Sequence, residues 1–227
     1  MRIEDLSWMD VEAYLKQEDR LMLVIGACEQ HGYLSLLTDV RIPLALADAA
    51  SQSTGVVVAP PINFGASPYF INYPGTISLR ISTLLDVVED ILRSVYRQGF
   101  RRILVLNGHG GNDGVRGRLY EVANELQELR LAWYAWWTAR SVLEVAQKYE
   151  LKPTHANWLE AFPFTRVTEL PAEVKTPPRV PGLMNAETAR QVYGDGSFGG
   201  PYSAPEPVME EIFRTALEDI LQLLKFE

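Results

Sequence analysis

The first hydrophobic pattern in the chain is a short apolar run over 21–25 (LMLVI), which Gly26 ends. Apolar runs of this length, bounded by a glycine, are typical of strands buried on both faces of a sheet. Similar runs follow at 55–59 (GVVVA) and 102–106 (RILVL), and a fourth, rich in aromatic residues, covers 131–137. The pattern therefore predicts four buried strands.

Helical periodicity separates these strands. The clearest helix covers 82–98, where apolar residues recur every three or four positions and Gly99 marks the end. A second helix is expected over 41–51, with Pro43 in its first turn. Further helices are expected over 7–17, 113–129, 140–149, 186–192 and 207–225.

Strands that alternate with helices predict right-handed crossovers and a mainly parallel sheet with helices on both faces. We therefore expect an α/β fold, a three-layer α/β/α sandwich around a central parallel sheet. The length of 227 residues and the 47% share of hydrophobic residues fit one domain over 1–227.

Composition and charge exclude several classes of partner. The net charge is −8 and no basic face is apparent, so no nucleic-acid partner is expected. No apolar run approaches the roughly 20 residues that span a bilayer, and the first twelve residues contain acids rather than the apolar core of a signal peptide. The single cysteine, Cys28, allows no intrachain disulfide. We therefore expect no membrane association and a cytoplasmic location.

Potential metal ligands follow two of the predicted strands. Glu29, His31 and Asp39 come soon after the first strand, and the turn over 107–112 (NGHGGN) carries His109 after the third. Ligands of α/β proteins bind beyond the carboxyl ends of parallel strands, so these residues should lie close together. The third and last histidine of the chain, His155, precedes Glu160 by five positions.

Imidazole and carboxylate groups together are ligands for zinc, manganese or iron. Glu29 and His31 are two residues apart, so in an extended loop both side chains would face one site. Asp39 could return to that site as a bridging carboxylate. Two metals about 3.5–4 Å apart would lower the pKa of a bridging water and polarise a carbonyl, which suits hydrolysis of an amide.

Two other interpretations of these residues remain. Glycines 108, 110 and 111 could cradle a phosphate at a helix N-terminus, which would indicate a non-catalytic metabolite- or phosphate-binding protein. No Lys or Ser/Thr follows them as in a P-loop, however. Cys28 adjoins Glu29 and could be the nucleophile of an amidase, although a buried, inert cysteine is the plainer interpretation.

The segment 26–39, GACEQHGYLSLLTD, resembles the metal-binding signature of the creatininase (creatinine amidohydrolase) family, which has E-Q-H-G followed by T-D. The irregular segment 60–79, PPINFGASPYFINYPGTISL, is similar to the family's PP, G-x-S and PGTISL frame. LVLNGHGGN, the His155-Ala156 pair followed by Glu160, and GDGSFGGPYSA also resemble family segments. These similarities occur in the family's order over nearly the whole chain.

This resemblance implies roles for individual residues. The ligands of a two-metal site would be Glu29, His31, Asp39 and His109, with Asp39 as the bridge and Glu160 completing the second metal. His155 would transfer a proton, or else support the ligands from behind. We expect the substrate contacts to be Ser67, Tyr69, Gly110, Gly111 and Trp158, whereas Trp136 is expected to be a core aromatic.

The resemblance also implies two divalent metal ions per subunit, zinc first, with manganese or iron as alternatives. It implies a small-molecule amide as substrate and a homo-oligomer, in the family a hexamer. The irregular aromatic segment over 64–73 could line the active site or serve that assembly.

Departures from the family pattern concern the ligands and the substrate. Tyr33, Leu34 and Ser35 stand where the family has Pro, His and Pro, and Gly111 stands where creatininases carry a glutamate, so Glu160 is expected to supply that ligand. The expected substrate is therefore not creatinine itself. The NGHGGN form resembles branches that act as formamide deformylases in flavin and deazaflavin synthesis, or as peptidases that mature a peptide-derived redox cofactor.

Overall fold

The computed structural model of the protein describes residues 1–180 and 182–227. Within them a parallel sheet contains β1 (Arg20–Ile25), β2 (Val57–Val58), β3 (Arg102–Asn107) and β4 (Arg130–Ala135), in the order β2-β1-β3-β4. The register pairs Val24 of β1 with Leu106 of β3, and Leu106 with Tyr134 of β4. All strand pairs run parallel, as expected.

The helices connect these strands and cover both faces of the sheet. A capping box between Ser7 and Asp10 starts the first helix, and Gly55 and Gly99 end the second and third in the left-handed conformation. The helices are α1 (Trp8–Leu15), α2 (Thr38–Thr54), α3 (Ile81–Gln98), α4 (Val115–Glu125), α5 (Arg140–Lys148), α6 (Ala186–Tyr193) and α7 (Glu206–Leu223).

Alternating strand residues build two separate cores. Met22, Val24 and Leu106 pack with α2, α5 and α7 on one face. Leu23 and Val105 pack with α3 and α4 on the other. This arrangement confirms the three-layer α/β/α sandwich. A smaller outer cluster, formed by Phe70, Tyr73, Ala189 and Tyr193, joins α6 to the irregular segment after β2.

The start of α2 differs from the sequence prediction. The helix begins at Thr38 rather than 41, so Pro43 lies inside it and Asp39 lies in its first turn. Pro43 has no N–H to donate, so the Asp39 carbonyl accepts no helical hydrogen bond from that position. Gly26 and Gly108 approach this carbonyl so closely that an added Cβ would stand 2.6 Å and 1.8 Å from it. These contacts seat Asp39 against the ends of β1 and β3.

The fourth strand is shorter than predicted. It ends at Ala135, and a 3-10 turn over Trp136–Thr138 follows it. Trp136 is buried in the core, as expected, whereas Trp137 is partly exposed. Among the described helices, none combines the length and the apolar character needed to cross a membrane.

Candidate metal centre

Four structural elements bring the predicted ligands to one place at the carboxyl ends of the strands. Glu29 and His31 lie in the loop after β1, Asp39 in the first turn of α2, and His109 directly after β3. Glu160 arrives from a different direction, in a 3-10 turn (Trp158–Glu160) beyond α5. Topology explains the meeting of the first four ligands, because they follow neighbouring parallel strands.

Asp39 stands between two histidines. Its Oδ1 lies 2.9 Å from His31 Nε2, and its Oδ2 lies 2.9 Å from His109 Nδ1. Neither approach has hydrogen-bond alignment, and within the described part of the chain His31 Nε2 and Asp39 Oδ2 are buried without a hydrogen-bond partner. Buried polar atoms are almost always paired, so this convergence of unpaired atoms indicates a ligand set for a cation.

The side chains form two overlapping groups that share Asp39. One group consists of Glu29, Asp39 and His109, and the other of His31, Asp39 and Glu160. Within each group the ligand atoms lie within 4.8 Å of one another. Nitrogen and oxygen donors in such triplets fit a zinc, manganese or iron ion, and the shared carboxylate fits a pair of ions.

Backbone carbonyls fix the orientation of both histidines. The Nε2–H of His109 donates to the Ala66 carbonyl at 3.0 Å, which leaves Nδ1 free to face Asp39. His31 Nδ1 lies 3.1 Å from the carbonyl of Glu29, which leaves Nε2 free. Metal-binding histidines characteristically donate their other N–H to such a carbonyl, because this holds the ring and its tautomer.

The mutual proximity of these buried charges shifts their pKa values. Burial raises the pKa of Glu29 to about 7. Burial opposes charge on His109, but the carboxylates of Glu29 and Asp39 prevail and raise its pKa to about 9. The pKa of His31 is likewise raised, and that of Asp39 is lowered by the two imidazoles despite its burial. The positive charges of the protonated His31 and His109 thus balance the negative charges of the carboxylates. Bound cations would take over this role.

His155 lies beside the ligand set inside an aromatic enclosure. Its ring stacks on Phe70, with centroids 4.8 Å apart and planes at 15°, and Phe198 lies 5.0 Å away. Its Nε2 is 3.8 Å from Glu29 Oε1. Burial, followed by the proximity of His31, lowers the pKa of His155 well below its ordinary value. A neutral imidazole therefore adjoins the candidate metal site.

A cavity of about 580 Å³ opens onto these groups. Four of the expected substrate contacts line it, namely Ser67, Tyr69, Gly110 and Gly111. The fifth, Trp158, lies elsewhere: it is fully buried in the core, where its indole N–H donates to the Lys152 carbonyl at 3.1 Å. Phe70, from the aromatic segment that could line the active site, also lines the cavity, as do Trp137 and Phe198, which the sequence did not single out as contacts.

Gly111 cannot carry the glutamate that creatininases have at this position without local rearrangement. A Cβ added to Gly111 would stand 1.9 Å from the Ala66 carbonyl and 2.5 Å from His109 Nε2. Any side chain there would break the contact that orients His109. Glu160, whose Oε1 is 3.7 Å from His31 Nε2, belongs to the second group with His31 and Asp39.

Cys28 does not line the cavity. Its thiol donates to the Gly75 carbonyl at 3.3 Å, and partial burial raises the pKa of the thiol. A reactive cysteine needs the opposite shift, so the structure offers no support for a cysteine nucleophile.

These features define an α/β protein with a candidate site for two metal ions at the carboxyl ends of its strands. The sequence model of the creatininase family, described as creatinine amidohydrolase, matches residues 4–224. The chain belongs to the creatininase family.

Curated relatives share part of the chain. A creatinine amidohydrolase from Pseudomonas putida is 35% identical over 137 residues, which cover 57% of this chain and 52% of the relative. A mycofactocin precursor peptide peptidase from Mycolicibacterium smegmatis is 37% identical over 99 residues, 40% of each chain. The matched segments thus span about half the length of these relatives, or less.

A solved structure described as creatininase Mn superimposes with a TM-score of 0.80. The alignment covers 99% of this chain and 97% of that one, at 22% identity. At this identity the likeness establishes the fold.

Proposed function

We propose that the protein is a hydrolase of carbon–nitrogen bonds in amides that depends on two divalent metal ions. The relation of Asp39 to His31 and His109 carries the proposal, because one carboxylate presents a separate oxygen to each histidine at 2.9 Å. The phosphate-binding alternative lacks such support, since the carboxylates of Glu29, Asp39 and Glu160 all line the same cavity and would repel a phosphate.

The two triplets suggest which residues would hold each ion. Glu29, Asp39 and His109 would hold one ion, and His31, Asp39 and Glu160 the other. Zinc is the first expectation, with manganese or iron as alternatives. When bound, such a pair supplies a water of lowered pKa and a Lewis acid for the amide carbonyl.

The remaining residues of the cavity would bind and orient the substrate. Gly110 and Gly111 line the cavity, and their backbone N–H groups would stabilise the carbonyl oxygen as negative charge develops there. His155 would pass a proton to the leaving nitrogen. Phe70 and Phe198 pack against the His155 ring and hold it at the wall of the cavity.

We propose a substrate other than creatinine. Relatives of this chain are described as acting on creatinine and on a precursor peptide, so membership of the family leaves the substrate open. A cavity of about 580 Å³ accommodates a small molecule or the end of a peptide. Cyclic amides, formamides and short peptides are therefore the first classes to assay.

The metal content of untagged protein, purified without a chelator and measured by elemental mass spectrometry, tests the proposal. About two equivalents of zinc, manganese or iron per chain, together with hydrolysis of one substrate class, are expected. The proposal would be refuted by protein that contains no metal and that, when zinc or manganese is added, either binds no metal or shows no activity.

Three further properties form part of the proposal. We propose that the whole chain is one creatininase-like domain, in line with the family match over 4–224. We propose a homo-oligomer, because the exposed apolar residues Leu36 and Ile77 flank the loop that carries Glu29; light scattering after gel filtration tests this. A cytoplasmic location is proposed from the single cysteine.

A further inference from the structure

Gln30 is the residue of the EQHG segment to which the proposed ligand set gives no role. Its side chain is buried between the loop after β1 and the segment that follows α6. It lies between two proposed metal ligands in sequence, and it contacts His155, which is 125 positions away. Its amide therefore connects the ligand loop to the proposed proton carrier.

The orientation of the Gln30 amide follows from its neighbours. Oε1 accepts the backbone N–H of Gly32 at 3.1 Å, and Nε2 donates to the carbonyl of Gly196 at 3.2 Å. The flipped amide would set donor against donor and acceptor against acceptor. Gly196 has a φ of +96° and packs so closely that an added Cβ would stand 1.7 Å from Oε1. The amide therefore has one allowed orientation.

This orientation determines which nitrogen of His155 carries the proton. One N–H of the Gln30 amide is used by Gly196, and the other points to His155 Nε2 at 2.9 Å. A donor must meet a lone pair, so Nε2 is unprotonated and the proton of the neutral ring resides on Nδ1. Stacking on Phe70 holds the plane of the ring, so the edge that carries Nε2 stays directed at Gln30.

We propose that Gln30 is a positioning residue that holds His155 in the Nδ1–H tautomer, with the Nε2 lone pair at the edge of the ligand set. The inference rests on the proposed function and deepens it. Nε2 is also the nitrogen that lies 3.8 Å from Glu29 Oε1, so it adjoins the place where water would be activated. Its lone pair becomes available as a base when the hydrogen bond from Gln30 breaks. His155 therefore acts first as a base and only then as an acid.

The proton balance follows from this assignment. As the water oxygen forms a bond to the amide carbon, one O–H bond breaks. Its proton passes to Nε2 as the hydrogen bond from Gln30 to Nε2 breaks, while the other N–H of Gln30 keeps its bond to Gly196. When the C–N bond breaks, its electron pair stays on nitrogen and takes that proton from Nε2. His155 returns to the neutral Nδ1–H form, and Gln30 donates to Nε2 again.

The test is magic-angle-spinning ¹⁵N NMR of zinc-loaded protein labelled only in its histidines. The chain has three histidines, and the His155→Ala variant assigns the resonances of His155. In the wild type we expect an unprotonated Nε2 and a protonated Nδ1. In Gln30→Glu a carboxylate, which only accepts, replaces the donor, so the proton should move to Nε2. Gln52→Glu, an exposed change near the C-terminal end of α2, is the matched control and should leave the spectrum unchanged.

A protonated Nε2 in the wild type overturns the inference, even if Gln30→Glu fails to fold. If the variant folds, a His155 spectrum identical to that of the wild type also overturns it. Turnover provides a second readout: Gln30→Glu should lower kcat far more than it changes KM, because it alters His155 and not the cavity wall. A wild type without metal or hydrolase activity would refute the proposed function. A protonated Nε2 in active, metal-loaded protein would refute only the role of Gln30.

Discussion

Trp136 and Trp137 are consecutive in the chain but have different environments. Trp136 is 2% exposed and packs edge-on against Phe162 in the core, with ring centroids 6.0 Å apart. Trp137 instead lines the cavity beside the candidate metal site. A 3-10 turn after β4 produces this divergence, because it redirects the chain just where the strand ends. The pair therefore places a core residue and a residue of the cavity wall at adjacent positions.

Replacing each tryptophan by alanine should produce different defects. Trp136→Ala leaves a cavity in the core and should lower the free energy of unfolding by about 3–5 kcal/mol. Trp137→Ala should leave stability nearly unchanged but raise KM roughly tenfold, about 1.4 kcal/mol of binding. Urea denaturation and steady-state kinetics measure the two effects. Equal loss of stability in both variants would contradict the placement of Trp137.

The shared carboxylate predicts a graded loss of metal. Asp39→Asn removes a ligand from both triplets and should reduce the metal content from about two equivalents to nearly none. His109→Ala removes a ligand from one triplet only and should retain about one equivalent, with activity abolished and the circular dichroism spectrum preserved. Asp90→Asn, an exposed change on α3, serves as the control. Full metal content in Asp39→Asn would show that this residue bridges no ions.

Glu160 is expected to supply the ligand that Gly111 lacks. Glu160→Gln should lose one of the two ions and most of the activity, because the second triplet then keeps only His31 and Asp39. Adding Gly111→Glu to this variant should not restore metal, since the Ala66 carbonyl occupies the space that the new side chain needs. Elemental analysis of single and double variants, with Glu169→Gln as an exposed control, measures this. Restored metal content in the double variant would mean that the backbone at 66–67 moves to make room for the new side chain.

Metal binding should release protons. In the metal-free site the pKa of His109 is about 9, so this ring is protonated near neutral pH. Ligation requires the neutral ring, and each bound ion therefore displaces protons and binds more tightly as the pH rises towards that pKa. Isothermal titration in buffers of different ionisation enthalpy counts the protons released. Binding without proton release at about pH 7 would contradict the raised pKa of His109.

The sequence predicted the sheet well, because short apolar runs bounded by glycines are distinctive. It misplaced the start of α2 because Pro43 resembled a first-turn proline, whereas the helix tolerates it further in. The meeting of Glu29, His31, Asp39 and His109 followed from topology. The arrival of Glu160 did not, since it comes from an irregular segment far from any strand end. Its nearness to His155 in the sequence and the family resemblance were the signals that indicated it.

Side-chain direction accounts for the other differences. Trp158 lies two residues before Glu160 but points into the core, and no pattern in the sequence distinguishes these two orientations. The role of Gln30 depends on Gly196, which lies 166 positions away. A contact of that kind becomes visible only when the hydrogen-bond partners of a buried amide are known.

The outer cluster of Phe70, Tyr73, Ala189 and Tyr193 packs separately from the two cores that flank the sheet. Its member Phe70 lines the cavity, while four of the five proposed ligands follow the strands. Changes in α6 and at Tyr73, which lie away from the Ala66 carbonyl that orients His109, could therefore reshape substrate selection without disturbing the ion-binding framework. This division of labour offers a physical route by which one scaffold could diversify among unrelated amides, and a region in which directed evolution could begin.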